Sequence, residues 1–134
     1  MRFAKILLGV VFIATFSLLG SVTASATHVA PVTGTGNPSC AGGFKIEPVT
    51  SGAKGGIVTL TVTGSTFSFT TIDGFLVTSV IVKGGPGFNL YTYPAPGVTS
   101  DTGLHSPVNP NGGFAGLSHL CFFGDEKGEP EPPK

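Results

Sequence analysis

The side chains able to do chemistry cluster late in the chain: Asp101, His105 and His119, with Ser106 and Ser118 beside the two histidines. Two imidazoles and a carboxylate are the donors of an open zinc site, or of a general base with an orienting acid. Their spacing argues against such a centre. The histidines fall in different elements, no i, i+4 pair holds them on one helix face, and neither a third histidine nor a glutamate lies nearby. The bland role for His119 is a core-edge imidazole bonded to a loop carbonyl. Ser118-His119 is not a nucleophile with its base, because adjacent strand residues point to opposite faces. The glycine-rich Lys83-Gly84-Gly85-Pro86-Gly87 lacks the G-K-[ST] ending and the following helix of a phosphate cradle, so it reads as a strand connection. Tyr91 and Tyr93 share one face of an alternating run. They either stack on a sugar ring or another protein, or cover the edge of the core. No cofactor and no metal site is read from these residues.

The elements that position these groups are short strands. Phe75 to Val82 is an apolar, β-favouring run, and the glycine-rich turn joins it to the stretch holding both tyrosines. This predicts a central β-hairpin, with Phe75 to Val82 covered on both faces. Ile57 to Thr63 alternates strictly, with Val58, Leu60 and Val62 on one face and three threonines on the other. Gly64-Ser65 turns it into Thr66 to Thr70, where Phe67 and Phe69 share a face, and Asp73-Gly74 is a second turn. Phe44 to Glu47 reads as a short edge strand and Leu117 to Phe123 as the last strand, with Leu117, His119, Cys121 and Phe123 on one face. Between them, Pro94 to Gly116 is a long Pro/Gly/Asn-rich loop, of the kind that is either functional or holds an irregular strand. Six or so strands and no helical periodicity predict an all-β domain, a single antiparallel sandwich or open barrel.

The ends of the chain carry addresses. Arg2 and Lys5 precede an apolar run from Ile6 to Leu19, and Ala24-Ser25-Ala26 has the form of a cleavage site. Residues 1–26 therefore read as a signal peptide cut between Ala26 and Thr27, too short an apolar run for a retained anchor. The expected location is secreted and extracellular, with no membrane attachment after cleavage. Residues 27–39 read as a flexible arm, 40–124 as the sandwich and 125–134 as a disordered, charged, proline-rich tail. Removing Arg2 and Lys5 leaves five lysines against seven acids, so no basic patch exists for nucleic acid. Cys40 and Cys121 are the only cysteines, and export permits a bridge between them. Both are placed facing the core by their parity. Free thiols or a dithiol metal site are the alternatives.

Three blocks resemble a recurrent module of bacterial secreted and cell-surface proteins. They are Val80-Ile81-Val82-Lys83-Gly84-Gly85 with Tyr91 and Tyr93, Asp101 to Asn109 in the pattern D-x-x-L-H-x-P-x-N, and Gly116-Leu117-Ser118-His119 leading into Cys121. The cysteine stands one position earlier than in that module. The resemblance spans roughly Cys40 to Phe123 and implies an extracellular β-sandwich-like module without enzyme activity; with the tyrosine pair this gives the expectation of a non-enzymatic module that binds an extracellular polysaccharide or protein, or serves as a structural unit at the cell surface. The competing expectation is a small hydrolase or metal-dependent enzyme built on His105, His119 and Asp101.

Overall fold

A computed structural model describes residues 28–126. The signal peptide, its Ala26/Thr27 junction and the tail beyond residue 126 lie outside the described residues. The described chain forms nine strands: β1 (Val32–Thr35), β2 (Phe44–Ile46), β3 (Gly52–Lys54), β4 (Val58–Thr63), β5 (Thr66–Thr71), β6 (Leu76–Gly84), β7 (Gly87–Thr92), β8 (Ser100–His105) and β9 (His119–Asp125). They make two antiparallel sheets that do not close into a barrel, one ordered β1-β7-β6-β9-β2 and the other β3-β4-β5-β8. The protein is an all-β sandwich.

Alternation builds the smaller sheet. Val58 and Leu60 are buried while Thr59, Thr61 and Thr63 are exposed, and β4 turns through Gly64-Ser65 so that Thr63 faces Thr66. Phe67 and Phe69 then enter the core from β5 and meet Phe122 of β9 edge-on, with ring centroids 6.5 and 5.2 Å apart. These contacts sew sheet to sheet, since a buried aromatic brings both area and edge-to-face attraction. Asp73 and Gly74 adopt left-handed φ of 54° and 72° and carry the chain from one sheet to the other.

In the larger sheet β6 is central, flanked by β7 and β9. Val77, Val80 and Val82 are fully buried on its inner face, the odd spacing arising from a register shift between Val77 and Ser79. Its outer face is less covered than a doubly apolar strand predicts. Ile81 is buried there, but Ser79 and Lys83 are half-exposed. The Cys40–Cys121 bridge lies on this outer face too, a correction to the expected core-facing sulfurs. Leu120 and Phe122 belong to the core, so Cys121 between them points outward, beside its cross-strand neighbour Ile81. The last strand is apolar on both faces, and its alternation therefore does not say which is inside.

One further reading is revised and, for the long loop, one of two alternatives is decided. The arm is not a free tail: Val32 to Thr35 pair with Leu90 to Gly87, so the domain begins before Cys40. The long loop contains β8, which pairs with β5 across a bulge where Gly103 takes φ 73°.

The β6–β7 turn shows how closely the sequence blocks meet. A Cβ on Gly84 would stand 2.5 Å from the Gly116 carbonyl oxygen and 2.6 Å from the Ser106 Cβ, both backbone-anchored atoms. Gly84→Ala should therefore cost about 2 to 3 kcal/mol through overpacking. Gly116→Ala, which meets nothing within 4 Å, should stay near neutral. Urea midpoints of the two variants check the contrast, and equal midpoints would refute the tight approach.

Candidate functional site

Strand β7 places Asn89 and Tyr91 on the inner face, Tyr93 follows just beyond, and β8 faces them with Asp101 and His105. The tyrosines are 0% and 4% exposed, so the candidate stacking surface of Tyr91 and Tyr93 is not a surface. Phe88 and Leu90, on the opposite parity, are the half-exposed ones. The reversal has a physical reason. Each phenol finds a partner for its hydroxyl across the sandwich, so the ring's area is buried without an orphaned polar group.

Tyr93 donates its hydroxyl to Asp101 Oδ2 at 2.7 Å. The other carboxylate oxygen, Oδ1, accepts the Thr102 amide at 2.7 Å and pairs with His28 Nδ1 at 2.9 Å. Asp101 is only 3% exposed, and a carboxylate so placed is tolerable because charge-assisted hydrogen bonds replace its water. Burial, followed by that same hydrogen bond and the carboxylate's charge, pushes the Tyr93 phenol well above the ordinary tyrosine range. Tyr91 is raised as well, chiefly by burial.

Tyr91 exchanges hydrogen bonds with the backbone of His105. Its oxygen accepts the His105 amide at 3.0 Å and its hydroxyl donates to the His105 carbonyl at 3.2 Å. Asn89 Nδ2 donates to the same carbonyl at 2.8 Å, and Asn89 Oδ1 accepts from Thr33 of β1 at 2.6 Å. The His105 ring stacks on Phe114, centroids 3.9 Å apart, with Nδ1 2.7 Å from the Ser106 carbonyl. Ser106 gives its hydroxyl to the Ala115 carbonyl, which commits the group that a nucleophile would need.

Asp101 and His105 thus share the edge strand β8, near its opposite ends, but His119 does not join them. It lies across from Lys83 on the larger sheet, on the parity of Cys121, and burial with help from Lys45 depresses its pKa. Among the described residues no three His, Cys, Asp or Glu side chains gather as a metal site. The imidazole that does meet Asp101 is His28, which nothing in its unpatterned arm singled out. Its partner is 73 residues away, and the β-favouring Val32-Thr33 that follows was the only local sign of order. The Cys40–Cys121 bridge is present, with Cα atoms 5.8 Å apart. No family model matches the chain, nor does any curated protein or any solved structure.

Proposed function

We propose that this is a secreted, non-enzymatic β-sandwich that works at the bacterial cell surface, binding an extracellular polysaccharide or protein or serving as a structural unit. The observation that carries this reading is the inward commitment of the reactive groups. Asp101, Tyr91, Tyr93, Asn89 and Ser106 are buried and bonded to one another or to backbone, which favours a lock between sheets over a site held open for substrate. The bridge suits an oxidising compartment, and the leader supplies the route. In this reading the protein handles no nucleic acid and keeps no membrane anchor after cleavage.

Expression of the full chain in an exporting bacterium tests it. The expected product is extracellular, begins at Thr27, has the mass of an oxidised pair of cysteines and cosediments with purified cell envelopes or assembles on them. Protein retained in the cytoplasm, or carrying stoichiometric tightly bound zinc, would contradict the reading.

A further inference from the structure

The two sheets end in four edge strands, β1, β2, β3 and β8, and three of these are closed to a further strand. The middle residue of β2 is Lys45, exposed and paired with Glu47 at 3.2 Å. Strand β3 is three residues long, ends on Lys54 and runs into Gly55 and Gly56 in left-handed φ. On β8 side chains take up backbone groups: the Tyr91 hydroxyl accepts the His105 amide and, with Asn89 Nδ2, donates to the His105 carbonyl, while Asp101 accepts the Thr102 amide. Charge, brevity and covering are the means by which an edge refuses another chain.

Strand β1 uses none of them. Val32-Thr33-Gly34-Thr35 carries no charge and no proline. Its ladder fixes which groups it leaves open. The Gly36 amide bonds the Pro86 carbonyl at 2.9 Å, so by the two-residue alternation of an antiparallel pair Gly34 and Val32 also turn their backbone groups toward β7. The amides and carbonyls of Thr33 and Thr35 therefore point away from β7. Among the described residues they meet no backbone partner.

Apolar surface gathers beside this edge. Val32 and Val108 are the exposed large hydrophobics of the described residues, at 69% and 60%. Val32 stands on the strand itself, and Val108 joins Thr33, Thr35, Pro86, Pro107 and Pro110 around a cleft of about 190 Å³ with no charged side chain in its wall. Above Gly34 lies the Phe88 ring, whose Cζ is 2.5 Å from where a Cβ would stand.

We propose that β1 pairs with the β1 of a second copy of this chain, antiparallel about a two-fold axis at Gly34, each strand keeping its place on its own β7. Such an edge is its own complement. Thr33 of one copy faces Thr35 of the other, so their outward amides and carbonyls make four hydrogen bonds, and the missing side chain of Gly34 leaves room for the two Phe88 rings to meet at the axis. Because the edge and the cleft are uncharged, identical surfaces meet there without repulsion. A four-residue edge is small against the roughly 1,200 Å² of a stable interface, so the dimer is a weak one, with a dissociation constant on the order of 0.1 mM. Pairing depends on neither export nor a cell-surface setting, so it holds or fails independently of the function proposed above.

Sedimentation of the purified, oxidised protein from about 10 μM to 1 mM should show monomer passing into dimer. Thr35→Pro deletes two of the four hydrogen bonds and should weaken the dimer about tenfold or more. Its amide bonds nothing within the chain's own ladder, so the melting temperature of dilute protein should hold. Val32→Lys, at an exposed position, should weaken the dimer similarly through an edge charge. Amide exchange followed by NMR needs no variant. The Thr33 and Thr35 amides should exchange freely in dilute protein and slow in the dimer. A monomer at every concentration, which would leave the edge to a strand from another protein, would overturn the proposal. So would a dimer that neither variant weakens, or one in which those two amides exchange as fast as in the monomer.

Discussion

Reducing the Cys40–Cys121 bridge, or making Cys121→Ser, should cost roughly 2 to 5 kcal/mol and lower the melting temperature by more than about 10 °C. The bridge closes a sequence separation of 81, and a loop of that size restricts the unfolded chain by about 4.5 kcal/mol in the chain-entropy account. That is comparable to the whole stability of a small domain, and 21 glycines in the chain enlarge the freedom that folding must overcome. Its position adds a local effect. It fastens the chain just before β2, an edge strand of only three residues, onto β9, and Cys121 is fully buried beside Ile81. Cys40→Ser/Cys121→Ser should match reduced wild type by calorimetry. A melting temperature unmoved by reduction would show that the outer face holds together without the staple.

Asp101→Ala should be the most damaging single change in the polar layer, at about 3 kcal/mol. It leaves the Tyr93 hydroxyl, the Thr102 amide and His28 Nδ1 without their acceptor. The buried phenol bears most of the cost, because a buried donor without a partner costs about 1 to 3 kcal/mol. His28, with its side chain 56% exposed, can turn to water. Tyr93→Phe should cost about 1 kcal/mol or somewhat more, and the double variant less than the sum, because both remove the same bond. Urea unfolding of the three variants checks this. Strict additivity, or an Asp101→Ala loss below about 1 kcal/mol, would mean that the carboxylate does not hold the sheets together.

What could be read ahead of the structure follows from how much each strand's faces differ. The threonine face of β4 is wet and its valine and leucine face dry, and the alternation showed this directly. On β7 the faces are Phe88 and Leu90 against Asn89 and Tyr91. A hydropathy rule sends the first pair inside. The structure sends the second, because Asn89 and Tyr91 find partners on His105 that no local pattern reveals. Strand β8 was legible only as one alternative for the long loop, because Gly103 interrupts its period at the bulge and Asp101 is buried on partners from other elements. Asp101 and His105 were weighed together, and they do share the edge strand β8. The missing member, His28, sits in a segment whose order comes entirely from contacts distant in sequence.

The central claim, that the candidate site residues form an internal lock, rests on two buried phenols in a chain with two tyrosines and no tryptophan. Their folded pKa values lie above the ordinary 10, so their contribution to stability is whole below about pH 10 and is lost as pH rises through the folded values. The absorbance of tyrosinate near 295 nm, followed during an alkaline titration beside a far-UV signal for folding, measures this without mutation. The account predicts no tyrosinate while the fold persists and the appearance of both tyrosinates together with unfolding. One or both phenols ionising near pH 10 in still-folded protein would contradict it.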